Sequence, residues 1–137
     1  MITKNVVDRL ADDLHDKLRK LFYDLRKEVM KLKNVQERLI ASRSYRDFKP
    51  GYFIKNKELF HCSAFSGDSF LVTLDITNKL EHFIVDEQGM SQLFIEQIQE
   101  TEDRDGMKKV QLMMASKKDV KSLVKIIALK HRLFLGY

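Results

Sequence analysis

The sequence predicts an α+β fold: a long N-terminal helix, an antiparallel β-meander of four to six strands, and a C-terminal basic amphipathic helix. Three observations carry this expectation. Apolar residues recur at helical spacing from Thr3 to Ala41 with no Gly or Pro between them. From Gly51 onward, short aromatic or β-branched runs are divided by turn residues at roughly the 8–12-residue intervals of a meander. Near the end, Ser116-Lys-Lys-Asp119 has the form of a capping box, and the segment after it sorts lysines and aliphatic residues onto opposite arcs.

The opening stretch is read as one helix over residues 1–41, with Thr3 or Asn5 as its cap and Val7, Leu10, Leu14, Leu18, Leu21, Leu25, Val29, Leu32 and Leu39 as its apolar stripe. That stripe is ~100° wide, broader than a two-position zipper seam, so packing on the chain's own sheet is the simplest use for it. Length complicates this reading. A helix of ~38 residues is ~57 Å long, whereas a domain of this size has a radius of gyration near ~14 Å. Part of the helix is therefore expected to meet a second copy, giving a homodimer through Leu18, Leu25, Val29, Leu32 and Leu39. Its opposite side carries Arg19, Lys20, Arg26, Lys27, Lys31, Lys33 and Arg38, a secondary basic face.

Residues 42–50 read as a linker, because Pro50 disfavours helix at Lys49 and Gly51 permits a turn. Residues 51–137 supply the meander and closing helix, and the whole chain 1–137 reads as a single domain. Strand-like runs occupy 52–54, 58–65, 69–76 and 80–85. The stretch 91–102 suits either period, and its Gln and Glu content tips it toward helix. After the Asp105-Gly106 turn, Val110, Leu112 and Met114 alternate with polar residues as a strand does. The last helix should run from Ser116 to about Leu133.

Charge is segregated. The net +5 is distributed as −2 over residues 1–16, +7 over 17–49, −7 over 51–107 and +7 over 108–137. On the last helix Lys117, Lys118, Lys121, Lys125 and Arg132 form one stripe. Lys117 and Lys118 sit in the first turn, where the helix dipole disfavours a cation by ~0.3–1 kcal/mol. Together with Ser116 and its neighbouring backbone N–H groups, they form a phosphate-binding corner. The competing expectation is that this stripe is neutralised by the acidic middle of the same chain.

Other chemistry is sparse. Gly67-Asp68-Ser69 and Asp103-x-Asp105-Gly106 read as turns, since neither is followed by the residues a hydrolase or a calcium loop requires. His15, His61, His82 and His131 are scattered, and no metal site, cofactor or catalytic set is expected. A lone Cys62, no leader-like start and no long apolar run point to a cytoplasmic protein without a membrane partner. The leading expectation is a non-enzymatic regulatory or accessory protein that binds a DNA or RNA backbone through Ser116, Lys117, Lys118, Lys121, Lys125 and Arg132. The alternative is a protein-interaction module, an inhibitor or adaptor, that uses an acidic and hydrophobic surface including Glu96, Glu100 and Glu102. A small metal-independent ribonuclease using His61 and His82 is a third reading.

Overall fold

The computed structural model describes residues 10–41 and 48–136. Helix α1 spans Asp16–Met30 and is followed by strands β1 (Val35–Ala41), β2 (Phe48–Ile54), β3 (Lys57–Ser66) and β4 (Ser69–Thr77). Helices α2 (Asn78–Asp86) and α3 (Gln92–Glu100) come next, then β5 (Met107–Met114) and α4 (Lys117–Phe134). The five strands form one antiparallel sheet in sequence order, β1-β2-β3-β4-β5. The α+β class and the antiparallel meander are thus as the sequence predicts, with α2 and α3 inserted between the last two strands.

The single long helix is corrected. Residues 10–12 are helical, but the chain leaves the helix at Asp13 and re-enters it at Asp16. His15 lies between, extended, and its N–H donates to the Gly67 carbonyl of the β3–β4 turn at 2.9 Å. Arg19 donates to the carbonyls of Ala11 and Leu14 at 3.1 and 3.2 Å, so a guanidinium closes the broken end. Helix α1 then stops at Met30, Asn34 takes a positive φ of 67°, and Val35–Ala41 pairs with β2 from Val35↔Ile54 to Ala41↔Phe48. The expected linker is likewise shorter than 42–50, because residues 48–50 belong to β2. Pro50 is tolerated there because β2 pairs with β3 only from Gly51↔His61 onward. The expected cap at Thr3 or Asn5 lies outside the described residues.

This correction removes the argument for a homodimer seam. Helix α1 has 15 residues, about 22 Å, which one small sheet can cover. Leu18, Leu25 and Val29 are buried in the chain's own core at 5%, 1% and 1% exposure, and Leu32 packs against that core. Leu39 stands apart on β1, a sheet edge.

The residues that alternate inward from the sheet, among them Tyr52, Phe60, Cys62, Phe70, Val72, Leu74, Val110, Leu112 and Met114, meet α1, α2, α3 and α4 in one core. Phe22 of α1 meets Phe70 edge-on at 5.5 Å, and Tyr52 stacks on Phe60 at 4.6 Å. The run 80–85, expected as a strand, is helical instead. The Thr77 hydroxyl accepts from the Leu80 N–H, which starts a helix, and Leu80 and Ile84 then share its buried side. At its far end the sheet splays. β3 and β4 pair from His61↔Thr73 to Ser66↔Ser69, although the strands extend to Lys57 and Thr77. Lys130 of α4 enters beside this opening and donates from Nζ to the Leu59 carbonyl at 2.8 Å.

Candidate nucleic-acid interface

Helices α1 and α4 pack against each other, and between them opens a cleft of about 1160 Å³. The last turn of α1 contributes Lys27 and its C-cap contributes Lys31, the first three turns of α4 contribute Lys117, Lys118, Lys121 and Lys125, and residues 89–92 form a third wall. The sequence treats the two basic stretches as separate candidates. The fold brings them to one place.

Each wall has a local cause. In α1, Leu21 lines the cleft with Asp24, Lys27, Glu28 and Lys31, the three- and four-residue spacing that puts them on one helix face. In α4 the expected capping box is present in full. Ser116 Oγ accepts from the Asp119 N–H at 3.3 Å, and the Asp119 carboxylate accepts from the N–H groups of Ala115 and Ser116 at 2.9 and 3.1 Å. The Ser116 hydroxyl is therefore engaged in holding the helix end. Ser116→Ala should cost about 1 kcal/mol of stability, measurable by urea denaturation. The third wall is tied on by two bonds. The Ser91 N–H donates to Ser122 Oγ at 3.1 Å, and Lys125 Nζ donates to the Gln88 carbonyl at 2.9 Å.

Among the described residues, six lysines and three carboxylates line the cleft, a formal net charge of +3. One carboxylate is matched at close range: Glu28 meets Lys31 at 2.8 Å, and that ammonium holds the Glu28 carboxyl below its usual range. Asp119 is occupied by the cap. Among the described residues, Lys27, Lys117, Lys118 and Lys121 have no side-chain ion-pair partner. Among the described residues, none of the carboxylates of 51–107 lines the cleft; Glu81, for one, meets Lys108 at 2.9 Å.

Several expected contributors lie outside this cleft. Arg132 is exposed on the last turn of α4 but does not line it. Of the secondary basic face, Arg19 is committed to the carbonyls of Ala11 and Leu14. Arg26 makes a two-pronged contact with Glu37 at 2.7 and 3.0 Å, and Arg38 lies on β1 over the ring of Phe53. Lys20 and Lys33 are exposed outside the cleft. What the sequence reading missed is the wall at Gly89, Met90, Ser91 and Gln92. Its available signal was Ser91, whose hydroxyl caps α3 by accepting from Phe94.

The histidines form no joint site. His61 on β3 contacts Glu58 at 3.2 Å, His82 on α2 contacts Asp86 at 3.5 Å, and the two lie on different elements without meeting. His131 Nε2 donates to the Lys33 carbonyl at 2.8 Å and joins α4 to the turn after α1. No three His, Cys, Asp or Glu side chains among the described residues converge to hold a metal, and no described helix is long and apolar enough to cross a membrane. Comparison with known proteins finds no matching family model, no matching curated protein and no matching solved structure.

Proposed function

We propose that this protein binds the phosphate backbone of a nucleic acid in the cleft between α1 and α4, in a non-enzymatic, regulatory or accessory role. One observation carries the reading: lysines from two separate helices line the same cleft, and among the described residues four of them make no ion pair. A basic helix face that only kept the chain soluble would have no reason to converge with a second one. Lysines neutralised by the acidic middle would show ion pairs with it.

The test is a salt titration of oligonucleotide binding. Four phosphate contacts predict a log–log slope of roughly −3 to −4, and Lys118→Gln with Lys121→Gln should reduce its magnitude by about 1.5–2. Lys20→Gln with Lys33→Gln, outside the cleft, should leave the slope unchanged. A slope untouched by the cleft pair removes the cleft from the reading.

A second reading draws on the α2–α3 side. Leu93, Phe83 and Val85 are exposed at 59%, 41% and 40%, and Glu96 and Glu100 are exposed on α3. Such a surface suits a protein partner with basic and apolar groups. Partner capture that resists nuclease and is weakened by Glu96→Gln with Glu100→Gln would favour it. Capture that depends on intact nucleic acid would count against it.

A further inference from the structure

We infer that the cleft holds a single strand by its phosphates alone and leaves the bases in solvent. This rests on the nucleic-acid reading and specifies what part of the ligand is read.

Proteins recognise bases in two main ways. They stack them on aromatic rings, or they grip their edges with the paired donors and acceptors of Arg, Asn and Gln. Among the described residues, the cleft lining contains no aromatic residue and no arginine, although the chain has nine Phe and four Tyr to place. Its apolar lining is Leu21, Met90, Val120 and Val124, none of which offers a flat face. Gln92 is the single carboxamide among the described lining residues. All the cations are lysines, which act on phosphate as point charges and carry no planar geometry for a base edge.

The shape points the same way. Lys117, Lys121 and Lys125 follow one another at four-residue steps, about 6 Å along the helix axis. Lys27 and Lys31 repeat that step on the facing wall. Glu28 already matches Lys31, so the cations left for a flexible chain of phosphates are Lys27 on one wall and Lys117, Lys118 and Lys121 on the other. A duplex is a convex rod whose major groove alone is ~12 Å wide, and it can touch only the rim of a cleft walled on three sides. The volume of about 1160 Å³ also exceeds the ~300–1,000 Å³ of a small-molecule pocket, leaving room for more than one nucleotide.

The experiment compares three probes by fluorescence anisotropy on the full chain at one low salt concentration. They are a mixed-sequence single strand of about twelve nucleotides, an abasic strand of equal length and a duplex of equal length. The abasic strand should bind within about three-fold of the mixed one, because even one stacked base is worth roughly five-fold or more. The duplex should bind at least about ten-fold more weakly than the single strand, since it reaches only the rim lysines. An abasic strand weaker by about ten-fold overturns the inference while leaving the nucleic-acid reading in place, and a duplex that binds best does the same. If the mixed strand fails to bind, or binds the Lys118→Gln, Lys121→Gln protein unchanged, the reading beneath the inference falls with it.

Discussion

Glu37→Ala is expected to lower the unfolding free energy by about 3 kcal/mol, roughly 10 °C in melting temperature for a chain of this size. Glu37 on β1 accepts both prongs of Arg26 from α1, at 2.7 and 3.0 Å, and the hydroxyl of Tyr52 from β2, at 2.8 Å. Its side chain is 16% exposed, and Tyr52 is 1% exposed. Truncation leaves a buried phenol without an acceptor and a partly buried guanidinium without its anion. Each loss costs more than the pair contributes in net terms, because the desolvation stays while the bond goes. Burial, with the neighbouring Cys62 and Glu37, pushes the Tyr52 phenol above its ordinary range, while the Glu37 hydrogen bond raises Arg26. Both groups are thereby held in the protonated forms that donate. Glu37→Gln keeps one acceptor and should cost about half as much. Urea denaturation of the two variants measures this, and a loss below about 1 kcal/mol for Glu37→Ala would show the contact to be a surface pair of little weight.

The same contact explains what the sequence could and could not disclose. Arg26 reads as one cation on a basic face, because its anion comes eleven residues later on an element the sequence assigns to the same helix. Leu39 fits the end of a helical stripe as readily as a strand, since apolar positions four apart, such as Val35 and Leu39, satisfy both periods over so short a run. The deciding feature is Asn34 at φ 67°, which turns the chain before β1. The run 80–85 misleads for the related reason that its aromatic and β-branched content suggests strand, whereas the Thr77 cap fixes a helix start. Where pattern and local chemistry agree, sequence reasoning succeeds. Met107–Met114 alternates exposed and buried along its whole length, and Ser116 with Asp119 makes both bonds of its box. The cleft is different in kind. Its α4 lysines are legible as a stripe on one helix, but their meeting with Lys27 and Lys31 depends on how α1 and α4 cross, which no local pattern encodes.

Lys130 is the residue least visible in the pattern, and it leads to the second large effect, a dependence of stability on pH that two groups conceal from each other. Burial pushes the Lys130 ammonium down to about 8, with Asp75 and Glu58 opposing part of the shift. The unfolded lysine titrates near ~10.4. Between these values the unfolded chain binds the extra proton, so stability rises with pH by ~1.4 kcal/mol per unit, on the order of 3 kcal/mol across the window. Cys62 acts in the opposite sense. It is fully buried, and burial together with Glu37 pushes its thiol up, so the folded chain keeps a proton that the unfolded thiol loses above ~8.5. Stability then falls at a similar slope. From about pH 8.5 to 10 the two nearly cancel, and wild type should be almost flat. Lys130→Met exposes the thiol and should lose about 2 kcal/mol over that interval, whereas Cys62→Ala exposes the lysine and should gain about as much. Urea midpoints measured for the three proteins at both ends of the interval decide the matter. A wild-type profile that falls in parallel with that of Lys130→Met would mean that Lys130 stays charged in the fold, its ammonium satisfied by the Leu59 carbonyl and the two nearby carboxylates, and that it pins the splayed ends of β3 and β4 without a proton cost.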